Sequence, residues 1–455
     1  MKGPEVSPVT SGLSAYIAGA LKNRLAEEVA EKTKHHLLDT LAAMISGSRL
    51  KPGRLAITYA RSQGGKREAT VLGSRFVTTA VSAAMVNGML AHSDETDDSH
   101  LRGQFHPGCG IVPAALAVAE RQGREGGALL KAVALGYDIG CRFNLSMGLS
   151  KPYGSGHSTH SVGALFGASA AAGALMGFDD RRIRYQLSYT VQQASGVQCW
   201  ARDAEHIEKA FDFGGMAARN GVAAATMVAA GFTGVEDALS GRHNFYAAFG
   251  EEPAPAALLE GLGARFEIMD ASIKKWCVGT PIQAALDAMT ALIAGHGLRA
   301  ADVAHIEAQL PDDRAHIVDN RAMPDICLQH LLAVTLIDGG LTFESAHDYG
   351  RMSDPAVLAL RDRIELVPSA ELTKARPPRQ AIIEITTRDG RRLAHRARAV
   401  RGGPDNPLSR NEVGEKALEL MGPVLGSERA RGLIESVWKI ERVADATELR
   451  PLLQA

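Results

Sequence analysis

The chain has 455 residues, and its 50 lysines and arginines nearly balance its 51 aspartates and glutamates. A chain of this length is expected to form two or more cores rather than one. The net charge of −1 gives no reason to expect nucleic acid or a membrane surface as a partner, so positive charge for an acidic ligand has to be local.

The cysteines and the N-terminal residues bear on the cell compartment. Five scattered cysteines without a Cys-x-x-Cys pair argue against a disulfide framework or a structural zinc site and favour a reducing environment. The N-terminal stretch MKGPEVSPVTSG lacks the apolar core of a signal peptide, and no apolar run approaches the roughly 20 residues of a membrane span. We therefore expect a cytoplasmic globular protein.

From about residue 10 to 250 the sequence has the Ala- and Gly-rich patterning of packed helices. Residues 28–47 place one apolar stripe along a helix that stops at Gly47. In residues 163–178 small side chains recur near four-residue spacing, which lets a second helix approach closely: Gly163, Gly167, Ala171 and Ala174. The pattern predicts bundled helices rather than a sheet.

After residues 251–263, which are rich in Pro, Ala and Gly, the pattern changes. Residues 305–311 alternate as a strand, 326–340 form a buried helix, and 381–400 form two strands around an Asp389-Gly390 turn. Residues 409–412, SRNE, have capping-box spacing and open a return to helix.

The sequence therefore predicts a mostly α fold in which a large all-helical domain carries an inserted, smaller α+β lid domain. We place the helical domain at residues 1–265, the lid at 266–400, and C-terminal helices that return to the helical domain at 401–455.

Residues 91–108, AHSDETDDSHLRGQFHPG, concentrate titratable groups where an apolar helix ends. If helical geometry continues through this segment, His92, Glu95 and Ser99 share a face, with Asp98 beside them. Adjacent carboxylates raise each other's pKa, which makes one of them a usable base near neutral pH. A solvated acidic helix end accounts for the same residues equally well. Calcium-loop and zinc-site spacings are both missing, so we expect no metal.

Three more segments carry candidate groups, each with an ordinary explanation beside the functional one. His106 lies in a His-Pro-Gly turn and His157 and His160 in residues 151–163, where surface or capping histidines are common. Lys209 is spaced to form a surface ion pair with Glu205. Lysines such as those in residues 272–281 are usually solvated. No phosphate loop, GxGxxG, GxSxG or HExxH motif is present, which argues against nucleotide, hydride-transfer and metalloprotease chemistry.

Taken in order, these segments resemble the MmgE/PrpD family, whose members include 2-methylcitrate dehydratase, cis-aconitate decarboxylase and iminodisuccinate epimerase. The family hallmark A-H-x-x-D-F-D-D-T-H, followed by H-P, corresponds to residues 91–100 and His106-Pro107. The histidine loop before a Gly/Ala helix corresponds to residues 156–173. EKAFDFGGMAARNG, with Lys209, Gly214 and Arg219, matches the family's lysine segment.

The second half of the chain continues the resemblance, which covers essentially the whole sequence. Lys274 corresponds to the lysine at the entry to the lid, residues 331–340 to the A-x-x-L-x-D-G helix, and residues 403–416 to the closing segment. The resemblance implies an active site between a helical domain and a lid that closes over it, a homodimer, no cofactor, and a small di- or tricarboxylate substrate.

The resemblance also implies roles for particular residues. Lys209 and Lys274 would bind substrate carboxylates, while His106 or His157 moves the proton next to a carboxylate. Glu95 or Asp98 would orient or tune that histidine. Further substrate-binding candidates are Ser99, His92, His160, Arg219 and His330.

Two departures from the family pattern affect the expected reaction. The first aspartate of the hallmark is Glu95 here, and its threonine is Ser99. Decarboxylase-type members carry a histidine shortly after the lid lysine, where this chain has VGTP, and a tyrosine at the position of His330. We therefore expect a dehydratase-like lyase, with an isomerase or epimerase as the alternative, and decarboxylation as the least expected activity. A non-catalytic carboxylate-binding homologue is a further alternative.

Overall fold

The computed structural model describes residues 6–148 and 156–455, so residues 151–155 of the histidine loop lie outside the described part. The chain forms two compact units. The first contains the described residues up to Ser93, then Asp97–Ala271 and Arg410–Ala455. The second contains Asp94–Thr96 and Ser272–Ser409. Within the described ranges, no helix has both the length and the apolar character needed to cross a bilayer.

The first unit is helical. Its helices before the second unit are α1 Pro8–Gly19, α2 Glu27–Gly47, α3 Lys51–Gln63, α4 Ala80–Ala91, α5 Pro107–Gln122, α6 Gly126–Ser146, α7 Thr159–Leu175, α8 Asp180–Gln192, α9 Ile207–Ala210, α10 Met216–Ala229 and α11 Phe245–Phe249. Three two-residue strands accompany them: β1 Ala69–Thr70, β2 Val77–Thr78 and β3 Ser99–His100. A π-helical turn, Phe211–Gly215, joins α9 to α10.

Helices α6 and α7 pack through their glycines. A Cβ atom added to Gly167 would lie 2.5 Å from the carbonyl oxygen of Gly136, and one added to Gly140 would lie 2.5 Å from that of Gly163. No side chain fits at these distances, so only glycine permits this approach. The helix packing predicted from the small-residue stripe is confirmed.

The second unit packs helices on a four-stranded sheet. After β4 Ala271–Ser272, its elements are α12 Gln283–His296, β5 Val303–Pro311, α13 Asp312–Val318, α14 Leu328–Asp338, α15 Phe343–Ala346, α16 Pro355–Arg361, β6 Ile364–Ser369, α17 Ala370–Lys374, β7 Ala381–Thr387 and β8 Arg392–Ala397. The strand order is β6-β5-β7-β8, with β5 parallel to β6 and the other pairs antiparallel. The predicted strand, buried helix and hairpin are confirmed.

The chain then returns to the first unit through α18 Arg410–Leu425, α19 Ser427–Trp438 and α20 Arg450–Leu453. Helix α18 packs against α2, where Lys416 Nζ lies 2.6 Å from Asp39 Oδ1 and both side chains are buried. The predicted fold class, a mostly α protein with a smaller α+β part, is confirmed.

Candidate active site

The segment after α4 is buried but not helical. Helix α4 ends at Ala91, and residues 92–98 form turns. The condition for His92, Glu95 and Ser99 to share a helical face is therefore not met. Every residue from 92 to 100 is buried. A solvated acidic helix end is thus also the wrong description, because these carboxylates lie in the interior and need partners.

Asp97 is the centre of the histidine cluster in the first unit. Its Oδ1 accepts hydrogen bonds from Nδ1 of His92 at 3.0 Å and from Nδ1 of His106 at 3.1 Å. Burial alone would raise the pKa of Asp97, but the charges and hydrogen bonds of the two histidines outweigh it and hold the pKa well below its usual value. Because Nδ1 of each ring donates to Asp97, the proton that each ring can gain or lose is the one on Nε2.

Phe213 gathers the other predicted groups around this carboxylate. Its ring stacks on His160 at 3.7 Å and on His92 at 4.3 Å between centroids. His106 and His160 lie 5.4 Å apart, and Lys209 Nζ is 5.2 Å from the Phe213 centroid. The structure thus brings together four residues proposed from the sequence, with a cation held over an aromatic face.

Close backbone contact explains how α4 and the Phe213 turn reach each other. A Cβ atom on Gly214 would lie 2.1 Å from the carbonyl oxygen of Gly88, in the last turn of α4. The contact requires glycine on the π-helical turn, a type of distortion that is frequent at functional sites. On the other side, His106 is the residue before Pro107 at the start of α5, where the proline ring favours helix initiation.

Asp98 has a different environment from Asp97. Its Oδ2 accepts hydrogen bonds from His36 Nδ1 and from the Tyr137 hydroxyl, both at 2.6 Å, and its Oδ1 accepts one from the Gly108 N–H at 2.9 Å. Burial lowers the pKa of His36 to about 4, so this imidazole is neutral. With three donors on its oxygens, Asp98 ties α2, α5 and α6 together, which suits positioning rather than proton transfer.

Three further residues proposed from the sequence have other surroundings. The ring of His157 lies 4.9 Å from Phe249, and its backbone pairs with Val197. Arg219 donates from Nε to its neighbour Asn220 at 3.0 Å, and its guanidinium lies over Phe211. Ser99 is buried, and its hydroxyl has no hydrogen-bond partner among the described residues.

In the second unit, the tripeptide Asp94–Thr96 is held by two cations. Lys274 Nζ donates to the Glu95 carbonyl at 2.7 Å and lies 3.2 Å from the Glu95 carboxylate, and both side chains are buried. His347 Nε2 lies 2.9 Å from Asp94 Oδ2, while its Nδ1 donates to the Phe343 carbonyl at 2.7 Å. The two pairs fix the position of Glu95.

His347 is charged in this environment. Burial alone would lower its pKa, but the hydrogen bond and charge of Asp94, with Asp325, raise the pKa to about 9. His330 on α14 behaves oppositely, because burial and then the charges of Arg361 and Arg351 lower its pKa to about 4. Neither ring nitrogen of His330 has a hydrogen-bond partner among the described residues, so the ring is neutral and buried.

Sequence reasoning assigned no role to three residues of the cluster. Asp97 was part of the quoted hallmark, but its spacing did not separate it from Asp98. His206 lies 5.0 Å from His92 and has a left-handed backbone with φ of 60°, which is uncommon for a residue other than glycine. Asp212 accepts a hydrogen bond from the Ser158 hydroxyl, and burial raises its pKa to about 7. The signal available for Asp212 was its place between two phenylalanines before a glycine pair.

His92, Asp97 and His106 could also hold a cation, since one ligand atom from each lies within 4.8 Å of the others. A bound ion would have to replace the hydrogen bonds that both rings make to Asp97. His100, Glu267 and Asp270 form a second such group. There, His100 Nδ1 accepts the Gly103 N–H at 2.9 Å, so Nε2 of the neutral ring carries the proton and has no lone pair for a metal.

The MmgE/PrpD N-terminal domain matches residues 11–257, and the MmgE/PrpD C-terminal domain matches residues 276–441. The chain therefore belongs to the MmgE/PrpD family, and the resemblance found in its motifs is confirmed.

Several characterised relatives align along almost the full length. Human cis-aconitate decarboxylase is 25% identical over 98% of this chain and 94% of its own length. The cis-aconitate decarboxylase-like protein oryM of Aspergillus oryzae is 25% identical over 98% and 97%. Mouse cis-aconitate decarboxylase is 24% identical over 98% and 93%.

Proposed function

We propose that the protein is a cofactor-independent lyase that removes a proton next to a carboxylate of a small di- or tricarboxylate and eliminates water. The observation that carries the proposal is the pair of imidazoles on one buried carboxylate, with His160 and the Lys209 ammonium gathered on the same aromatic ring. Removal of a proton from a carbon acid requires an oriented base and, close to it, a cation that stabilises the resulting carbanion.

In this mechanism, His106 is the base. Asp97 holds its Nδ1–H, so Nε2 takes the proton, and the carboxylate stabilises the imidazolium that forms. Loss of the proton produces an enediolate-like dianion, which the Lys209 ammonium stabilises. His160, at 5.4 Å from His106, is better placed than His157 to protonate the departing hydroxyl.

Lys274 is proposed to bind a substrate carboxylate. In the structure its charge is balanced by Glu95, at 3.2 Å. A carboxylate of the substrate would compete with Glu95 for the ammonium, and protonation of Glu95 would release it. Lys274 and Glu95 would then act as one ion pair whose partner changes when substrate binds.

Two other reactions use the same proton chemistry. An isomerase or epimerase would return the proton to the opposite face of the carbon. Decarboxylation, the activity named for the relatives, would replace proton abstraction by loss of CO2 and then protonate the carbanion. The chain carries Val278 to Pro281 after its lid lysines, without the histidine of decarboxylase-type members, so water elimination remains our proposal.

Proton NMR in D2O tests the proposal, with methylcitrate, citrate, cis-aconitate, malate and iminodisuccinate as substrates. Conversion of a hydroxy acid to an alkene supports the dehydratase. Deuterium entering an α-carbon of an unchanged skeleton supports the epimerase, and itaconate formed from cis-aconitate supports the decarboxylase. Binding without any exchange would leave only a carboxylate-binding role. A cytoplasmic location and a homodimer are part of the proposal, and fractionation and light scattering test them.

A further inference from the structure

The second unit contains a cavity of about 380 Å³, and neither Lys274 nor Glu95 lines it. This volume is at the lower end of small-molecule sites, which are roughly 300–1,000 Å³. Its lining includes one carboxylate, that of Asp287, and four cationic side chains, those of Lys275, Arg396, Arg398 and Arg401. Since the whole chain has a net charge of −1, this is a local concentration of positive charge.

Asp287 accepts two hydrogen bonds from neutral donors of the cavity wall. Its Oδ1 accepts the indole N–H of Trp276 at 2.9 Å, and its Oδ2 accepts the backbone N–H of Arg401 at 2.9 Å. Both carboxylate oxygens are therefore engaged by neutral donors of the cavity wall. The carboxylate organises the wall, and the lining has one carboxylate and four cationic side chains.

Two of the cations and one hydroxyl have donor capacity to spare. Lys275 Nζ lies over the Trp276 ring at 4.5 Å, and Arg398 is exposed, with no carboxylate partner for either among the described residues. The Thr290 hydroxyl is buried at the cavity and lacks a hydrogen-bond partner in the described part of the chain. Arg396, by contrast, pairs with Glu371 at 2.7 Å.

Edge protection explains only part of this charge. Strand β8 is the outer strand of the sheet, and basic residues on such strands discourage pairing with another chain. That accounts for Arg392 and Arg396, which lie on β8. It does not account for Lys275, for Thr290 on α12, or for Arg401, which reach the same cavity from three other segments.

We propose that this cavity binds a small organic polyanion, one that carries a phosphate or several carboxylates, beside the segment that holds Lys274. Lys275 follows Lys274 directly, and the Ile273 N–H donates to the Gly402 carbonyl at 3.1 Å, next to Arg401. An anion held by Lys275 and Arg398 therefore lies beside the segment that holds Lys274.

Isothermal titration of the full chain tests this, with inorganic phosphate and tricarballylate titrated separately at constant ionic strength. Arg398→Ala is expected to weaken binding about tenfold or more, with Arg398→Lys intermediate, because a guanidinium binds these anions bidentately. Arg392→Ala is the matched control, an exposed arginine of β8 outside the cavity, and is expected to leave the affinity unchanged.

The two anions separate the possible ligands. Binding of phosphate alone indicates a phosphate ester, and binding of tricarballylate alone indicates a polycarboxylate. The proposal is overturned if neither anion binds at concentrations up to about 10 mM, if Arg398→Ala leaves the binding unchanged, or if Arg392→Ala weakens binding as much as Arg398→Ala. None of these results depends on which reaction the enzyme catalyses.

Discussion

His347 offers the sharpest quantitative test of how the second unit holds Glu95. Its ring faces two carboxylates, Asp94 at 2.9 Å and Asp325 at 3.9 Å, and its pKa is raised from 6.5 to about 9. At 1.36 kcal/mol per pKa unit, this shift corresponds to about 3 kcal/mol of stability. Because the folded pKa is the higher one, that stability is fully present below pH 6.5 and is lost as the pH rises through about 9.

Replacing His347 with Gln keeps a hydrogen-bond donor and removes the charge. We expect His347→Gln to lower the free energy of unfolding by about 3 kcal/mol at pH 6, and by progressively less toward pH 10. Urea unfolding of both proteins at pH 6, 8 and 10 measures this difference. His316→Gln, an exposed histidine of the same unit, is the control and should have no effect. A loss that is the same at pH 6 and pH 10, or under about 1 kcal/mol at pH 6, would refute the reasoning.

Further predictions concern the first unit. Asp97→Asn should lower kcat about 100-fold or more with unchanged circular dichroism, because the imidazoles lose their charged partner; activity within threefold of wild type would contradict this role. Asp212, whose pKa burial raises from 3.8 to about 7, should make the free energy of unfolding fall as the pH rises from about 4 to 7, and Asp212→Asn should remove that dependence in urea unfolding. Gly214→Ala should destabilise by about 1–3 kcal/mol in thermal unfolding, whereas Gly422→Ala, where a Cβ atom meets nothing within 4 Å, should not. Dialysis against a chelator should leave the activity unchanged, and loss that added metal restores would show a cation at Asp97.

The sequence predicted elements best where one local pattern determined them. The Asp389-Gly390 turn and the alternation before it define the β7–β8 hairpin, and the small-residue stripe of α7 anticipates its contact with α6. The end of an apolar helix before residues 91–108 was predicted, but the condition that helical geometry continues through them is not met, since α4 ends at Ala91 and the carboxylates that follow are buried. The predicted domain limits at 265 and 400 stay predictions.

In the candidate site, too, sequence motifs identified some residues, whereas tertiary contacts decided the others. Motif order identified His92, His106, His160 and Lys209, which the structure gathers around Phe213. Spacing alone did not distinguish Asp97 from Asp98, because neighbouring residues in an irregular turn point in directions that only tertiary contacts decide. Nor did it find His347, whose partner Asp94 is more than 250 positions earlier in the sequence. The catalytic roles of all these residues stay predictions.

The chain passes between its two units four times, after residues 93, 96, 271 and 409. This connectivity constrains the order in which a nascent chain can finish folding. Asp39 lies early in the sequence and is buried in the folded protein, yet its cationic partner Lys416 is synthesised only after the whole second unit. Burial raises the pKa of Asp39 to about 6 even with Lys416 beside it. Before Lys416 is synthesised, burying the charged Asp39 carboxylate is therefore unfavourable, and we expect this side chain to stay hydrated or protonated. The helical unit is therefore completed last, although its first helices emerge first, and a chain truncated before α18 leaves that carboxylate without its counter-ion.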